Sequence, residues 1–167
     1  MLFRSYVKAN KDKVTYANAG VGAASHLCGM LFMTAIQADL TTVPYKGTGP
    51  AMTDLIGGQV DFMCDQTTNT TPQIKGGKVK AYAVTTSKRV KALADLPTVQ
   101  ESGLKDFHVG VWHGLWAPKG TPKPVIDKLA SALQAALKDP AVVSKFADLG
   151  TEPVSADQAT PAALAKH

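Results

Sequence analysis

The sequence predicts an α/β fold in which a mostly parallel sheet is flanked by helices. In the first half of the chain, short β-branched and apolar segments alternate with longer segments of helical periodicity. Three predicted strands are followed by a small or polar loop, at residues 19–25, 46–49 and 65–69. Such strands run parallel and are joined by right-handed crossovers. We therefore expect all three loops at the carboxyl edge of one sheet, where α/β proteins bind ligands.

The first half of the chain is predicted to contain four helices and four strands. β-Branched and aromatic residues favour strands. Small or hydroxyl residues followed by proline favour a helix start, and paired glycines favour a helix end. We expect helices over 2–10, 23–37, 50–56 (capped by Thr48 or Gly49) and 72–75, and strands over 14–17, 40–45, 60–64 and 79–85.

The second half is predicted to be mostly helical. It begins with a connector over 87–106, in which Thr98 caps one helical turn that Gly103 ends. We then expect extended chain over 107–112 and 114–117, a helix over 122–137 with Thr121 as N-cap, a helix over 140–149, a short strand over 151–154 and a helix over 157–167.

The composition is that of a globular protein, with 45% hydrophobic and 19% charged residues among 167. The formal net charge is +5, but the lysines and arginines are scattered and have little aromatic interleaving. This pattern predicts a solvated basic surface with a mild bias towards anionic ligands, and no nucleic-acid interface. We find no apolar run long enough to span a membrane and no pattern of a signal peptide at the start of the chain.

The cysteines and histidines do not predict a metal site. Cys28 and Cys64 are not part of a Cys-x-x-Cys pair, and the four histidines lack the spacing of metal ligands. Buried thiols are the favoured interpretation. A disulfide would require the helix carrying Cys28 to lie beside the strand carrying Cys64.

The segment from Val14 to Leu27 predicts a binding site for an anion. Gly20 and Gly22 lie between a strand and a helix, and glycine permits positive φ and a close approach of the backbone to a ligand. The first turn of the helix offers free N–H groups and roughly half a positive charge from the helix dipole, and Ser25 would add a hydroxyl donor. The alternative is an ordinary turn whose glycines serve only tight packing. The convergence of three loops favours the anion site.

No catalytic function is predicted. Ser25 and His26 are adjacent and would point to different faces of a helix, so His26 is expected to pack or to line a cleft rather than act as a base. A phosphate- or nucleotide-binding protein is a less favoured alternative, because the loop lacks the Gly-Lys-Ser/Thr of a P-loop and only Lys46 could replace its lysine. A self-associating domain without a ligand is another alternative.

Six short motifs occur in order over nearly the whole chain. They are Tyr16-Ala-x-Ala-Gly-x-Gly-x-x-Ser-His-Leu27, Val43-Pro-Tyr-Lys-Gly-x-Gly-Pro-Ala51, Asp54-Leu-Ile-Gly-Gly-Gln-Val-Asp61, Ala83-Val-Thr-Thr-Ser-Lys-Arg89, Leu96-Pro-Thr-Val99 with Glu101-Ser-Gly103, and Gly114-Leu-Trp-Ala-Pro-x-Gly-Thr-Pro122. In this order they resemble the substrate-binding receptors of tripartite tricarboxylate transporters, the Bug-type periplasmic solute-binding proteins.

The resemblance implies a two-lobed, Venus-flytrap receptor without catalytic role or cofactor, which holds a small organic carboxylate and passes it to membrane transporter subunits. An acidic Asp65 would repel a second carboxylate unless an ammonium group or a bound water intervened; alternatively, Asp65 caps the turn that follows it. The residues that the resemblance places at the ligand are Gly20, Val21, Gly22, Ala23, Ala24, Ser25, His26, Asp65, Gln66 and Thr67.

The resemblance also implies a division into lobes. We expect a complete second lobe over 13–111, parts of a first lobe over 1–12 and 113–167, and a hinge near 107–117. Full-length relatives of this kind are periplasmic. The apolar face of the helix over 122–137 would lack its sheet in this chain, so we expect a homodimer or a strand-swapped assembly.

Overall fold

The computed structural model describes residues 2–167, and the chain divides between Val111 and Trp112 into two compact units. The first unit carries the sheet. Its elements are α1 (Leu2–Ala9), β1 (Thr15–Asn18), α2 (Ala24–Ile36), β2 (Thr41–Pro44), α3 (Thr48–Ile56), β3 (Phe62–Met63), α4 (Thr67–Lys75) and a 3₁₀ turn, Lys91–Leu93. The second unit contains α5 (Lys123–Ala136), α6 (Pro140–Asp148) and α7 (Pro161–Lys166).

The sheet is parallel, and its strand order is β2-β1-β3. The central strand pairs Thr15 with Thr41 on one side and Tyr16 with Phe62 on the other. All three strands therefore end at the same edge, as predicted. The α/β class with a parallel sheet flanked by helices is confirmed.

Apolar clusters lie against both faces of the sheet. Side chains alternate along a strand, so Tyr16 and Ala17 of β1 face opposite sides. The cluster on one side consists of Val7, Val14, Ile36, Ala38 and Leu40, and that on the other of Ala17, Ala51 and Val60. Helices α2 and α3 thus cover opposite faces, as right-handed crossovers on the two sides of β1 require.

Two contacts fix α2 against the sheet. Gly29 packs on the ring of Tyr16 so closely that a Cβ atom at Gly29 would overlap the ring. Cys28 and Cys64 form a disulfide with a Cα–Cα distance of 6.2 Å. The interpretation of these cysteines as buried thiols is therefore wrong: α2 does lie beside the chain that leaves β3, and this arrangement brings the two sulfur atoms together.

Two predicted strands are absent from the described residues. In the segment 79–85 only Val84 forms a bridge, with Thr98, and the segment 151–154 has no strand pairing. A short β-branched segment becomes a strand only where a neighbouring strand accepts its hydrogen bonds. Val84 has one such neighbour, at Pro97 and Val99, and Val154 has none among residues 2–167 and is exposed.

Helix starts were the least accurate predictions. Helix α4 begins at Thr67 rather than at 72, and Pro72 lies inside it. Thr48 is the first residue of α3, after Gly47, and Thr121 caps nothing, because its hydroxyl donates to the carbonyl of Pro118. Thr98 does accept from the N–H group of Glu101, as a cap would, but the chain there forms turns only.

None of the helices over residues 2–167 has the length and apolar character needed to cross a bilayer.

Candidate functional site

The glycine loop after β1 adopts the conformation that its sequence predicts. Gly20 has φ +124° and Gly22 has φ +83°, values that side chains other than glycine rarely adopt. A Cβ atom at Gly20 would also lie 3.2 Å from the carbonyl oxygen of Tyr45, the first residue after β2. The N–H group of Ala23 donates to the carbonyl of Gly20 and closes the loop. Backbone conformation therefore favours glycine at both positions, and lack of space additionally favours it at position 20.

The N-terminus of α2 lies at the end of this loop and has no capping side chain. The N-cap residue is Ala23. Among residues 2–167, no protein group accepts from the N–H groups of Ala24, Ser25 and His26. Helix N-termini of this kind combine free donors with the positive end of the helix dipole, which is the usual arrangement for binding an anion.

Ser25 and His26 contact the loop itself. Ser25 is buried, and its Oγ accepts from the N–H group of Ala19 at 2.9 Å. The Nδ1 atom of His26 accepts from the N–H group of Gly22 at 3.4 Å. Both side chains fix the loop, which leaves the backbone as its main binding surface. Val21, at the tip, is 82% exposed.

The other two predicted loops lie beside the first. The N–H group of Gly47 donates to the carbonyl of Ala19 at 3.0 Å, which extends the pairing of β1 with β2 into the loops. The hydroxyl of Thr48, at the start of α3, donates to Asp65 after β3 at 3.4 Å. The structure thus brings together the three loop regions that the sequence singled out.

Asp65 is half-buried at this edge. Its carboxylate also accepts from the side-chain amide of Asn69 at 3.4 Å. Burial raises the pKa of Asp65 above its usual range, although hydrogen bonds from the backbone of Gln66 and from Asn69 and Thr48 act in the opposite direction. Gln66 is the N-cap residue of α4 without a capping side-chain bond, and Thr67 begins that helix. Asp65 therefore both organises the turn and places an acid at the sheet edge.

Two residues of the candidate site, Tyr16 and Asn18, were not identified from the sequence, where β1 was interpreted only as a strand. The hydroxyl of Tyr16 donates to the carbonyl of Ser25 and accepts from the N–H group of Cys64 at 3.3 Å, so it joins α2 to the chain after β3. Burial raises the pKa of Tyr16 to about 12, which keeps it protonated. Asn18, the last residue of β1, is fully buried and accepts from the N–H group of Gly20 at 2.9 Å. The sequence offered one indication that Asn18 has a special position, namely a polar residue at the end of an apolar central strand.

Within residues 2–167 no group of three or more His, Cys, Asp or Glu side chains is placed to hold a metal ion. The profile of the tripartite tricarboxylate transporter family receptor matches residues 3–167. The chain belongs to this receptor family. The family consists of periplasmic solute-binding proteins and is not a family of enzymes.

Relatives and solved structures agree with this assignment. The chain is 61% identical, over 95% of its length and 46% of the relative, to the UPF0065 protein in the TAR-I ttuE-ttuC' intergenic region of Agrobacterium vitis. It superimposes on the periplasmic binding protein BugD with TM-score 0.93 and 62% identity, and on MatC of Rhodopseudomonas palustris with bound malate with TM-score 0.93 and 43% identity. These matches cover 98% of this chain and 55% and 56% of the two structures.

A further solved structure, R. palustris Rpa4515 with adipate, matches with TM-score 0.89 and 30% identity over 98% of this chain and 56% of that chain. The chain therefore spans about half the length of the relatives it matches.

Proposed function

We propose that this chain is a ligand-binding part of a solute receptor of the tripartite tricarboxylate type, and that it binds one carboxylate group of a small organic acid on residues 20–26. The observation that carries the proposal is the α2 N-terminus, where the N–H groups of Ala24, Ser25 and His26 have no acceptor among residues 2–167. Hydrogen bonds to charged groups contribute about 1.5–3 kcal/mol each, so two or three of them suffice for measurable binding.

Glycine at positions 20 and 22 contributes by exposing the backbone. A ligand oxygen approaches N–H groups closely only where no side chain covers them. Val21 lies between these glycines and Ala23 follows Gly22, and both would contact the ligand through their backbone. Ser25 and His26 contribute by fixing the loop through their bonds to Ala19 and Gly22.

Asp65, Gln66 and Thr67 are proposed to face the part of the ligand that lies away from this carboxylate. A charged Asp65 repels a second carboxylate unless an ammonium group or a water molecule lies between them. Malate and adipate, named with two solved relatives, each carry two carboxylates. We therefore expect Asp65 to decide whether this chain accepts such dicarboxylates or prefers acids with a cationic or hydroxyl group at that end.

The cellular setting follows from the family. We infer that the full-length protein works in the periplasm and delivers its ligand to membrane transporter subunits. The disulfide between Cys28 and Cys64 supports an oxidising compartment, because such bonds persist there and are rare in the cytosol. We further propose that residues 13–111 form one lobe of a two-lobed receptor, residues 1–12 and 113–167 part of the other, and residues 107–117 the hinge.

The second unit supports a proposal on assembly. Trp112, Leu115 and Trp116 are more than half exposed. Val125 and Leu129 of α5 lie one turn apart and are 46% and 43% exposed. Apolar surface of this kind favours association. We propose that this chain by itself forms a homodimer or a strand-swapped assembly. Light scattering should then give a molecular mass that rises with concentration, and a constant monomer mass would contradict the proposal.

A thermal-shift screen tests the binding proposal. The chain is mixed with mono- and dicarboxylic acids, including malate and adipate, with phosphate and ATP as controls for other anion classes. A ligand that binds only the folded state raises its stability by RT ln(1 + [L]/Kd), so millimolar affinity is detectable at high ligand concentration. The proposal predicts a rise in Tm with carboxylates. A chain that unfolds cooperatively without any shift would contradict it.

A further inference from the structure

Asn18 has a side-chain donor without a partner. The residue is fully buried at the end of the central strand. Its Oδ1 atom accepts from the N–H group of Gly20 at 2.9 Å. Its Nδ2 atom is the one buried side-chain nitrogen or oxygen among residues 2–167 that has no hydrogen-bond partner. Folded proteins pair nearly all such groups, so an unpaired one indicates a partner from outside the chain.

The position of this amide places it at the candidate site. Asn18 and Tyr16 are two residues apart on β1 and therefore share a face of the sheet. Tyr16 donates to the carbonyl of Ser25, so this is the face on which the first turn of α2 lies. Because Oδ1 of Asn18 reaches Gly20, the amide lies at the base of the glycine loop.

Only a few kinds of chemical group can be the missing hydrogen-bond partner of Nδ2. An Nδ2 group donates and cannot accept, so its partner is an acceptor. The first turn of α2, which lies on the same face of the sheet, also offers donors, because no group among residues 2–167 accepts from the N–H groups of Ala24, Ser25 and His26. Donors of this kind match an oxygen that carries negative charge, or a water molecule that is itself bound to such an oxygen.

We propose that Nδ2 of Asn18 donates to the bound carboxylate from beneath the glycine loop, directly or through one buried water, and that Asn18 sets the affinity of the site for anions. This inference rests on the proposed function, and it adds to that function a buried residue outside residues 20–26. A neutral amide suits this role, because it supplies a donor at no cost of burying a charge.

The test compares three chains in a titration with the panel acid that binds the unsubstituted chain most tightly. Asn18→Asp keeps the shape of the side chain and an oxygen for Gly20, and replaces the free donor by a carboxylate oxygen. We expect its Kd to rise at least about tenfold, because an acceptor then faces the anion. Thr98→Val is the matched control. Thr98 is buried and hydrogen-bonded elsewhere in the same unit, so this variant should lose stability and keep its Kd.

A spectroscopic measurement on the unsubstituted chain does not depend on whether the variant folds. The side-chain amide resonances of Asn18 should shift on saturation with the acid. A water-mediated contact would in addition show magnetisation transfer from water to Nδ2–H, and a direct contact would not. A Kd for folded Asn18→Asp within twofold of the unsubstituted chain, or unshifted amide resonances at saturation, would overturn the inference while leaving the proposed function standing. An unsubstituted chain that binds no acid in the panel would overturn both.

Discussion

The Oγ atom of Ser25 accepts a hydrogen bond from the N–H group of Ala19 at 2.9 Å. These residues stand at opposite ends of the glycine loop, one just after β1 and the other in the first turn of α2. The bond closes the loop across its base, so a buried hydroxyl helps to set the positions of the N–H groups at the start of α2.

Replacement of Ser25 by alanine is therefore expected to affect both stability and binding. Ser25→Ala leaves the N–H group of Ala19 unpaired, which costs about 1–3 kcal/mol of unfolding free energy, and lets the loop relax. Chemical denaturation and carboxylate titration measure the two effects. The control is Ser102→Ala, which removes the hydrogen bond from the Ser102 hydroxyl to the carbonyl of Thr98. That carbonyl still accepts from the N–H group of Ser102, so stability and Kd should change little. Unchanged stability and Kd in Ser25→Ala would contradict this account of the loop.

The contact between Gly29 and Tyr16 predicts a second effect. A Cβ atom at Gly29 overlaps the buried ring, so Gly29→Ala should lower the unfolding free energy by about 1–3 kcal/mol through overpacking. Gly57→Ala is the control. Gly57 has φ −76° and room for a methyl group, so its replacement should be neutral or stabilising by about 0.4–1 kcal/mol. The stability of both variants is measured by circular dichroism in urea. Equal unfolding free energies would contradict the prediction, because α2 could then move away from Tyr16 without loss of stability.

The disulfide between Cys28 and Cys64 should stabilise the first unit. It closes a loop of 36 residues, and bonds of this kind typically contribute about 2–4 kcal/mol. The double variant Cys28→Ser/Cys64→Ser should unfold at lower denaturant concentration than the oxidised chain, and reductant should affect only the unsubstituted chain. If reductant left the unsubstituted chain unchanged as well, the bond would not form in solution.

Asp65 should make binding and stability dependent on pH. Burial raises the pKa of its carboxyl group in the folded state, so between the usual carboxyl range and this raised pKa the folded state binds more protons than the unfolded state. The contribution of Asp65 to stability therefore falls as pH rises through that window. Carboxylate binding should also weaken over the same window, as Asp65 becomes charged.

Asp65→Asn should remove this pH dependence and bind dicarboxylates more tightly at neutral pH. The matched control is Asp127→Asn, which removes an exposed carboxylate that pairs with Lys123 in the second unit. Titrations at several pH values check both. Identical pH profiles for Asp65→Asn and the unsubstituted chain would place Asp65 outside the site.

Much of the fold could be predicted from the sequence because local patterns and tertiary contacts agree in the first unit. Helix α2 and strands β1 and β2 form where the local sequence pattern predicts them, although Ala23 and Gln37 at the two ends of α2 are not residues that favour helix ends. The glycine loop at 20–22 has the positive φ angles that only glycine adopts easily. The convergence of the three loops follows from parallel topology alone.

The remaining features depend on long-range contacts that a sequence pattern does not contain. The pairing of Cys28 with Cys64 requires the packing of α2 on the chain after β3. The early start of α4 overrides the preference of Pro72 for a first turn. The proposed contact of Asn18 with the ligand depends on which of its two amide atoms lacks a hydrogen-bond partner, and only the folded structure shows this.

The most direct test of the central claim is a calorimetric carboxylate titration of Gly22→Ala beside Gly77→Ala. Both glycines have positive φ and open space around them, so both replacements introduce similar backbone strain. Only Gly22 lies in the loop that precedes α2. The account predicts that Gly22→Ala weakens binding at least about tenfold, by about 1.4 kcal/mol or more, while Gly77→Ala keeps the Kd of the unsubstituted chain. Equal affinity in the two variants would show that the carboxylate does not bind on the glycine loop.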